Sequence, residues 1–158
     1  MAIEAQEVDP RKTFRFLVEC EGLPVALVQS VSIPDSELGT VEHAPPGSAT
    51  KQKTAGAWKF GNITLKKVMP ANSSDTFFWD WMRQVRDPET GQSIGAARYK
   101  RGLTIIDKGD SDQIIDKWEC EGCFPVKDSH GERSSMQDAE AAIETVEISC
   151  DRYRRVTV

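Results

Sequence analysis

Four cysteines offer the most reactive chemistry in this chain. Cys120 and Cys123 form a C-x-x-C pair, which could supply half of a zinc site or a redox dithiol; Cys20 and Cys150 would complete four thiolates for a tetrahedral cage. The surrounding residues favour a different role. Cys20 continues the face of Phe14, Phe16 and Val18, Cys120 stands two residues after Trp118, and Cys150 follows Val146 and Ile148 at the same step. Alternate residues of a strand share a face, so these thiols read as small apolar groups turned toward a core. A structural zinc site normally carries a second closely spaced ligand pair, and none is seen. No metal or other cofactor is expected.

The remaining chemical candidates are weaker. His43 and His130 are the two histidines, both in or beside loop-like sequence, and neither neighbours a nucleophile signature such as G-x-S-x-G. They read as surface histidines, and no catalytic residue is expected. Phosphate-cradling glycine loops of the G-x-x-x-x-G-K-[ST] or G-x-G-x-x-G type are absent. Asp107, Asp110 and Asp112 have a calcium-like composition but lack the EF-hand spacing and its terminal Glu, so a polar hairpin turn accounts for them better. Two basic-aromatic clusters, Arg98-Tyr99-Lys100-Arg101 and Arg152-Tyr153-Arg154-Arg155, could hold phosphates. Strand alternation would split each between two faces, and Asp116, Glu119, Asp138, Glu140, Glu144 and Glu147 are available as partners. Salt bridges within or between subunits are therefore favoured over phosphate binding.

Composition narrows the class further. The 158 residues are 39% hydrophobic and 28% charged, with 25 acids against 20 bases for a formal net charge of −5. Such a chain can bury one core, and its average field repels a nucleic-acid backbone. No apolar run approaches the ~20 residues of a membrane helix, so no membrane anchoring is expected. The start MAIEAQEVDPRK has neither the basic nor the apolar region of a secretory signal, so synthesis in the host cytoplasm without export is expected.

The elements that would position these residues are mostly strands. Period-two patterning marks Phe14–Cys20 and Val25–Ile33, expected to pair as a hairpin across the turn residues Gly22 and Pro24. Further strands are read at Leu38–Ala44, Lys59–Val68, Arg98–Asp107, Ile114–Glu121 and Ala142–Asp151. Between them, residues 45–58 show no core face and read as a long exposed excursion. Helical period appears in one segment, where Phe77, Phe78, Trp81, Met82 and Val85 form one stripe. Ser73 or Ser74 can cap that helix, Asp75 suits its positive N-terminal end, and Pro88 stops it. Trp79 points about 130° from the stripe centre, which suggests an interface rather than a core position. ECEGLPV at Glu19–Val25 nearly recurs as ECEGCFPV at Glu119–Val126, but two copies do not establish a repeat. Many strands with one helix predict a mainly β fold, an antiparallel sandwich or barrel flanked by an α-helix, in a single domain spanning residues 1–158.

Several blocks in order carry a family resemblance: FRFLVECEGLPVALVQSVSI, then FGNITLKKVMPANSSDTFFWDWM, then WECEGCFPVKD, and finally AIETVEISCDRY. Together, from Thr13 to Val156, the chain resembles the tail tube family of contractile phages, which includes the inner tubes of extracellular contractile injection systems and is related to the type VI secretion tube protein. The stretch DPETGQSIGAA at Asp87–Ala97 and the four cysteines depart from the usual pattern.

The resemblance implies two orthogonally packed antiparallel sheets with a flanking helix. It also implies a structural subunit that is not an enzyme, forming hexameric rings stacked into a hollow tube. Its partners would be other copies of itself, a contractile sheath protein, and baseplate, spike and tail terminator proteins, with DNA or protein cargo passing through the lumen. Its location would be the virion tail tube or an assembled injection particle. On this reading Pro45, Pro46, Gly47, Lys51, Lys53, Ala57 and Trp58 in the excursion reach a neighbouring subunit or ring, as do Arg152, Arg154 and Arg155. Trp79, Asp80 and Arg83 face outward toward sheath or the next protomer. Thr145, Glu147, Ser149 and Asp151 line the lumen, where acids would repel DNA. The competing reading is a monomeric β-barrel that binds a small ligand in its mouth.

Overall fold

The computed structural model describes residues 11, 15–136 and 141–157. Phe14 of the first expected strand, and Asp138 and Glu140 among the expected acid partners, lie outside them.

The architecture is mainly β, as expected, and one strand organises it. β8 (Ile114–Ser129) is 16 residues long and runs well past the expected end at Glu121. Its first part pairs with β7 (Arg101–Lys108) on one side and β10 (Arg152–Val156) on the other; its last part pairs with β9 (Ile143–Ser149). From β7 the first sheet continues to β1 (Phe16–Cys20) and β2 (Leu23–Pro24). From β9 the second continues to β6 (Ile63–Val68) and β3 (Val28–Ser32). All these pairs are antiparallel, and β8 belongs to both sheets.

The corner lies at Gly122, which has φ +65°. That backbone conformation favours glycine, and a Cβ there would also displace the exposed Asp151 side chain. The companion strand turns at the same place, where Asp151 N donates to Glu121 O at 3.0 Å between β9 and β10. The expected single strand at Ala142–Asp151 is thus two strands divided at Cys150 and Asp151.

Three further expectations change. Val25–Ile33 does not form a hairpin with the first strand: Leu27, at φ +60°, redirects the chain, and β3 pairs with β6 in the other sheet. Arg98 and Tyr99 belong to a four-residue helix, α2 (Ala96–Tyr99), not to β7. The excursion is largely a two-stranded ribbon, because β5 (Gln52–Phe60) pairs with β4 (Ser36–His43) and leaves only residues 44–51 as its turn. Lys59 and Phe60 belong to that ribbon, and β6 begins only after Gly61 and Asn62.

The core fills the space between the sheets and α1 (Phe77–Val85). Val18, Ile63, Leu65, Leu103, Ile105, Val146 and Ile148 are buried with Phe78 and Trp81 of the helix. Each such large apolar side chain contributes about 1.5–3 kcal/mol on burial. The helix occupies the expected segment, but Thr76 precedes it instead of Ser73 or Ser74, with its hydroxyl donating to Asp80 Oδ2 at 2.9 Å. Trp81 Nε1 donates to Tyr99 O at 2.7 Å, tying α1 to α2. The divergent stretch after α1 folds back on it, with Ile94 N donating to Gln84 O.

Candidate functional site: assembly surfaces

The thiols are placed as small core residues. Cys20, Cys120, Cys123 and Cys150 are all buried and free. Cys20 and Cys120 both stand opposite Leu103, on either side of β7, so the two E-C-E-G segments flank one strand. Burial raises the Cys20 thiol and lifts Cys150 to about 11, while the Cys120 thiol beside Cys123, together with burial, pushes Cys123 upward. Neutral, shielded thiols are poor nucleophiles.

The basic cluster on β10 is paired within its own chain. Arg152 stands opposite Glu121 and bonds its carboxylate, and Arg154 does the same with Glu119, its Nη2 2.7 Å from Oε2. Arg155 Nε reaches Asp116 Oδ1 at 2.8 Å, and Arg11 bonds the same carboxylate from the other side. The two guanidiniums hold Asp116 down at about 2, against the cost of burying it. In the other cluster Lys100 pairs with Asp151 at 2.9 Å, while Arg101 lies over the Trp81 ring at 5.1 Å. The expected salt bridges of Arg152, Arg154, Arg155 and Lys100 therefore form inside the subunit. Asp107, Asp110 and Asp112 stand at or near the tight turn from β7 to β8, closed by Gly109 N donating to Gln113 O.

The β4–β5 ribbon has exposed residues on both faces. Leu38, Val41 and Trp58 are 48%, 55% and 62% exposed, and Leu38 stands directly opposite Trp58. Pro45, Pro46 and Gly47 lie in its turn, Lys51 follows them, and Lys53 and Ala57 lie on β5; Lys51 and Lys53 both approach Glu42 at 3.9 Å. Along α1, Trp79 is 43% exposed and meets the His130 ring edge-on at 6.3 Å. Asp80 and Arg83 are exposed beside it, Arg83 reaching Asp87 at 3.4 Å.

On β9 the expected polar face is separate from the core. Glu144, Val146 and Ile148 are buried, whereas Thr145, Glu147 and Ser149 are half-buried on the other side, and Asp151 is exposed beyond them. Across the sheet Thr145 stands opposite Lys66 and Ser129, and Glu147 opposite Thr64 and Lys127. Lysines thus accompany Glu147 on this polar face.

Sequence patterning overlooked a buried charged group. Lys67 and Glu144 face each other across β6 and β9, each only 2% exposed, and Lys67 is ion-paired to Asp75 at the start of α1. Burial and the neighbouring Asp128 carboxyl push Glu144 up to about 7, opposed by Lys67. Strand parity carried the signal: Lys67 shares the inward face of Ile63 and Leu65, and Glu144 that of Val146 and Ile148.

This arrangement of strands with its projecting ribbon can be compared with known proteins. The family model described as T4-like virus tail tube protein gp19 matches residues 12–154. The chain belongs to that family. The family is one of structural tail tube proteins, from phage or injection-system particles. A chain from the sheath–tube complex of an extracellular contractile injection system, PVC, in its extended state shares the fold, with a TM-score of 0.76 at 22% identity over 94% of this chain and 93% of that one. A chain from the tube-terminating cap of the anti-feeding prophage aligns over all of both chains, with a TM-score of 0.78 and 22% identity. Hcp1 from Flavobacterium johnsoniae is more distant, with a TM-score of 0.54 and 14% identity over 90% of this chain and 94% of that one. No match is found among curated protein sequences.

Proposed function

We propose that this tail tube protein works as a purely structural subunit: six copies close into a ring, rings stack into a rigid hollow tube inside a contractile sheath, and DNA or effector protein passes through. The observation that carries this reading is the β4–β5 ribbon, whose exposed Leu38, Val41 and Trp58 have an apolar surface that a second copy would cover. Sheet edges supply the complementary need. β2, β3 and β10 each pair on one side only, and joining them to strands of adjacent subunits would satisfy the open backbone groups. Closed rings remove such edges altogether.

Within this assembly Arg152, Arg154 and Arg155, exposed on edge strand β10, would meet the neighbouring subunit, while the polar face with Thr145, Glu147 and Ser149 would line the channel, Asp151 at its margin. Trp79, Asp80 and Arg83 would face sheath or the next protomer. Sheath, baseplate and terminator partners follow from the particles in which the similar folds occur. The tube would act in the virion tail or an injection particle after synthesis in the host cytoplasm. Among the described residues no helix is long and apolar enough to cross a membrane.

A small-ligand role has less support. An open cleft of about 390 Å³ lies between the β1–β2 turn and the start of α1, but its Lys67 and Asp75 are already paired with each other. The discriminating experiment removes the ribbon by joining Leu38 to Trp58 through an Asn-Gly turn, a register that places those two residues opposite each other. Folded subunits that no longer polymerise are expected; normal filaments from this variant would refute the proposed role of the ribbon.

A further inference from the structure

At one end of the core, under the start of α1, a polar group lies where apolar packing would be expected. Asp128 lies near the end of β8 and His130 directly follows its last residue, Ser129, while Glu144 lies on β9 one step beyond the Ser129–Thr145 pair. One ligand atom from each of the three falls within 4.8 Å of the other two. The Asp128 side chain is 1% exposed, and neither of its oxygens has a hydrogen-bond partner. His130 Nε2 lies 3.5 Å from Asp128 Oδ2.

A buried carboxylate without a donor is costly, by several kcal/mol in a low-dielectric interior, unless a proton or a positive charge is supplied. Lys67 is the adjacent cation, and Asp75 already holds it. Three carboxylates, Asp75, Asp128 and Glu144, thus face one ammonium, which leaves an uncompensated charge of about −2 when all are ionised. A divalent cation would cancel it. One imidazole nitrogen and two carboxylates are the donors that first-row divalent ions such as Zn²⁺ and Co²⁺ accept. His130 is 49% exposed, so the site opens to solvent through its own ligand. Edge-on contact of Trp79 with the His130 ring restricts that ligand's orientation from outside.

We infer that Asp128, His130 and Glu144 form a binding site for a first-row divalent cation, which would fasten β8 to β9 beneath α1. The site uses none of the four thiols and is independent of the assembly proposed above. It is distinct from the ribbon and the β10 edge.

Chelator-treated full-length protein should be titrated with Co²⁺ and with Zn²⁺, following cobalt absorption, Trp fluorescence and thermal midpoint. The expected result is one cobalt per chain without thiolate-to-cobalt charge transfer, and a thermal midpoint that rises with Zn²⁺. His130→Ala, at an exposed position that should not impair folding, should weaken binding by at least about tenfold. Glu144→Gln should do the same. Absence of saturable binding, a thiolate charge-transfer band, or unchanged affinity in His130→Ala would each overturn the site.

Discussion

Phe60 meets Tyr153 edge to face, with ring centroids 5.3 Å apart and planes at 70°, so the base of the β4–β5 ribbon rests against edge strand β10. Trp58, two residues along β5, stacks on Phe60 at 6.0 Å with planes 8° apart and faces outward. One aromatic column therefore runs from the subunit's body to the surface of its projecting ribbon. Phe60→Ala should destabilise the subunit by about 1–3 kcal/mol, less than a fully buried Phe would, and chemical denaturation measures this. No loss of stability would mean the ribbon is not anchored there.

Trp58→Ala separates folding from assembly. Trp58 is largely exposed, so stability should change by no more than about 0.5 kcal/mol, whereas polymer formation should fall sharply. Sedimentation of the purified variant beside the parent reads the difference. Equal polymer yield would remove Trp58 from the interface.

Acid should weaken the β8–β10 pairing through Asp116. Its folded pKa of about 2 lies below the ordinary 3.8, so the carboxylate stabilises the fold above about pH 4 and loses that contribution as pH falls toward 2. Arg155 and Arg11 are the cations that hold it, and nearby Asp107 moves the opposite way, raised chiefly by burial. Thermal midpoints measured between pH 5 and about 2 should show a shallower decline for Asp116→Asn than for the parent. Parallel profiles would exclude Asp116 as a contributor.

The thiols should be inert in the folded subunit. Burial and the raised Cys20, Cys123 and Cys150 thiols predict slow reaction with a thiol reagent near pH 8, and reaction of all four on denaturation. Rapid labelling of the native protein would show that the C-x-x-C pair is accessible.

The helix and the central strands were legible in the sequence because burial there leaves a period. Phe78 and Trp81 sit at helical spacing, and Ile63, Leu65, Val146 and Ile148 alternate strictly. Residues 52–58 left no such trace, since β5 pairs with β4 while exposing residues on both faces, so strand and loop look alike. β10 was hidden by its arginines, which cross-strand acids neutralise. Gly122 and Pro125 suggest a turn to any local reading, yet β8 continues through them as it passes from one sheet into the other. The surfaces proposed for assembly follow no period, since their partners belong to other chains. Their residues could be suggested only by exposure, as with Trp79, or by family resemblance.

This subunit is proposed to close rings that stack into a tube. Electron microscopy of the purified protein tests it most directly: six-fold rings or hollow tubes, with the β4–β5 ribbon lying between adjacent copies, are expected at high protein concentration. A protein that stays monomeric at every concentration, with Leu38, Val41 and Trp58 left in solvent, would contradict it.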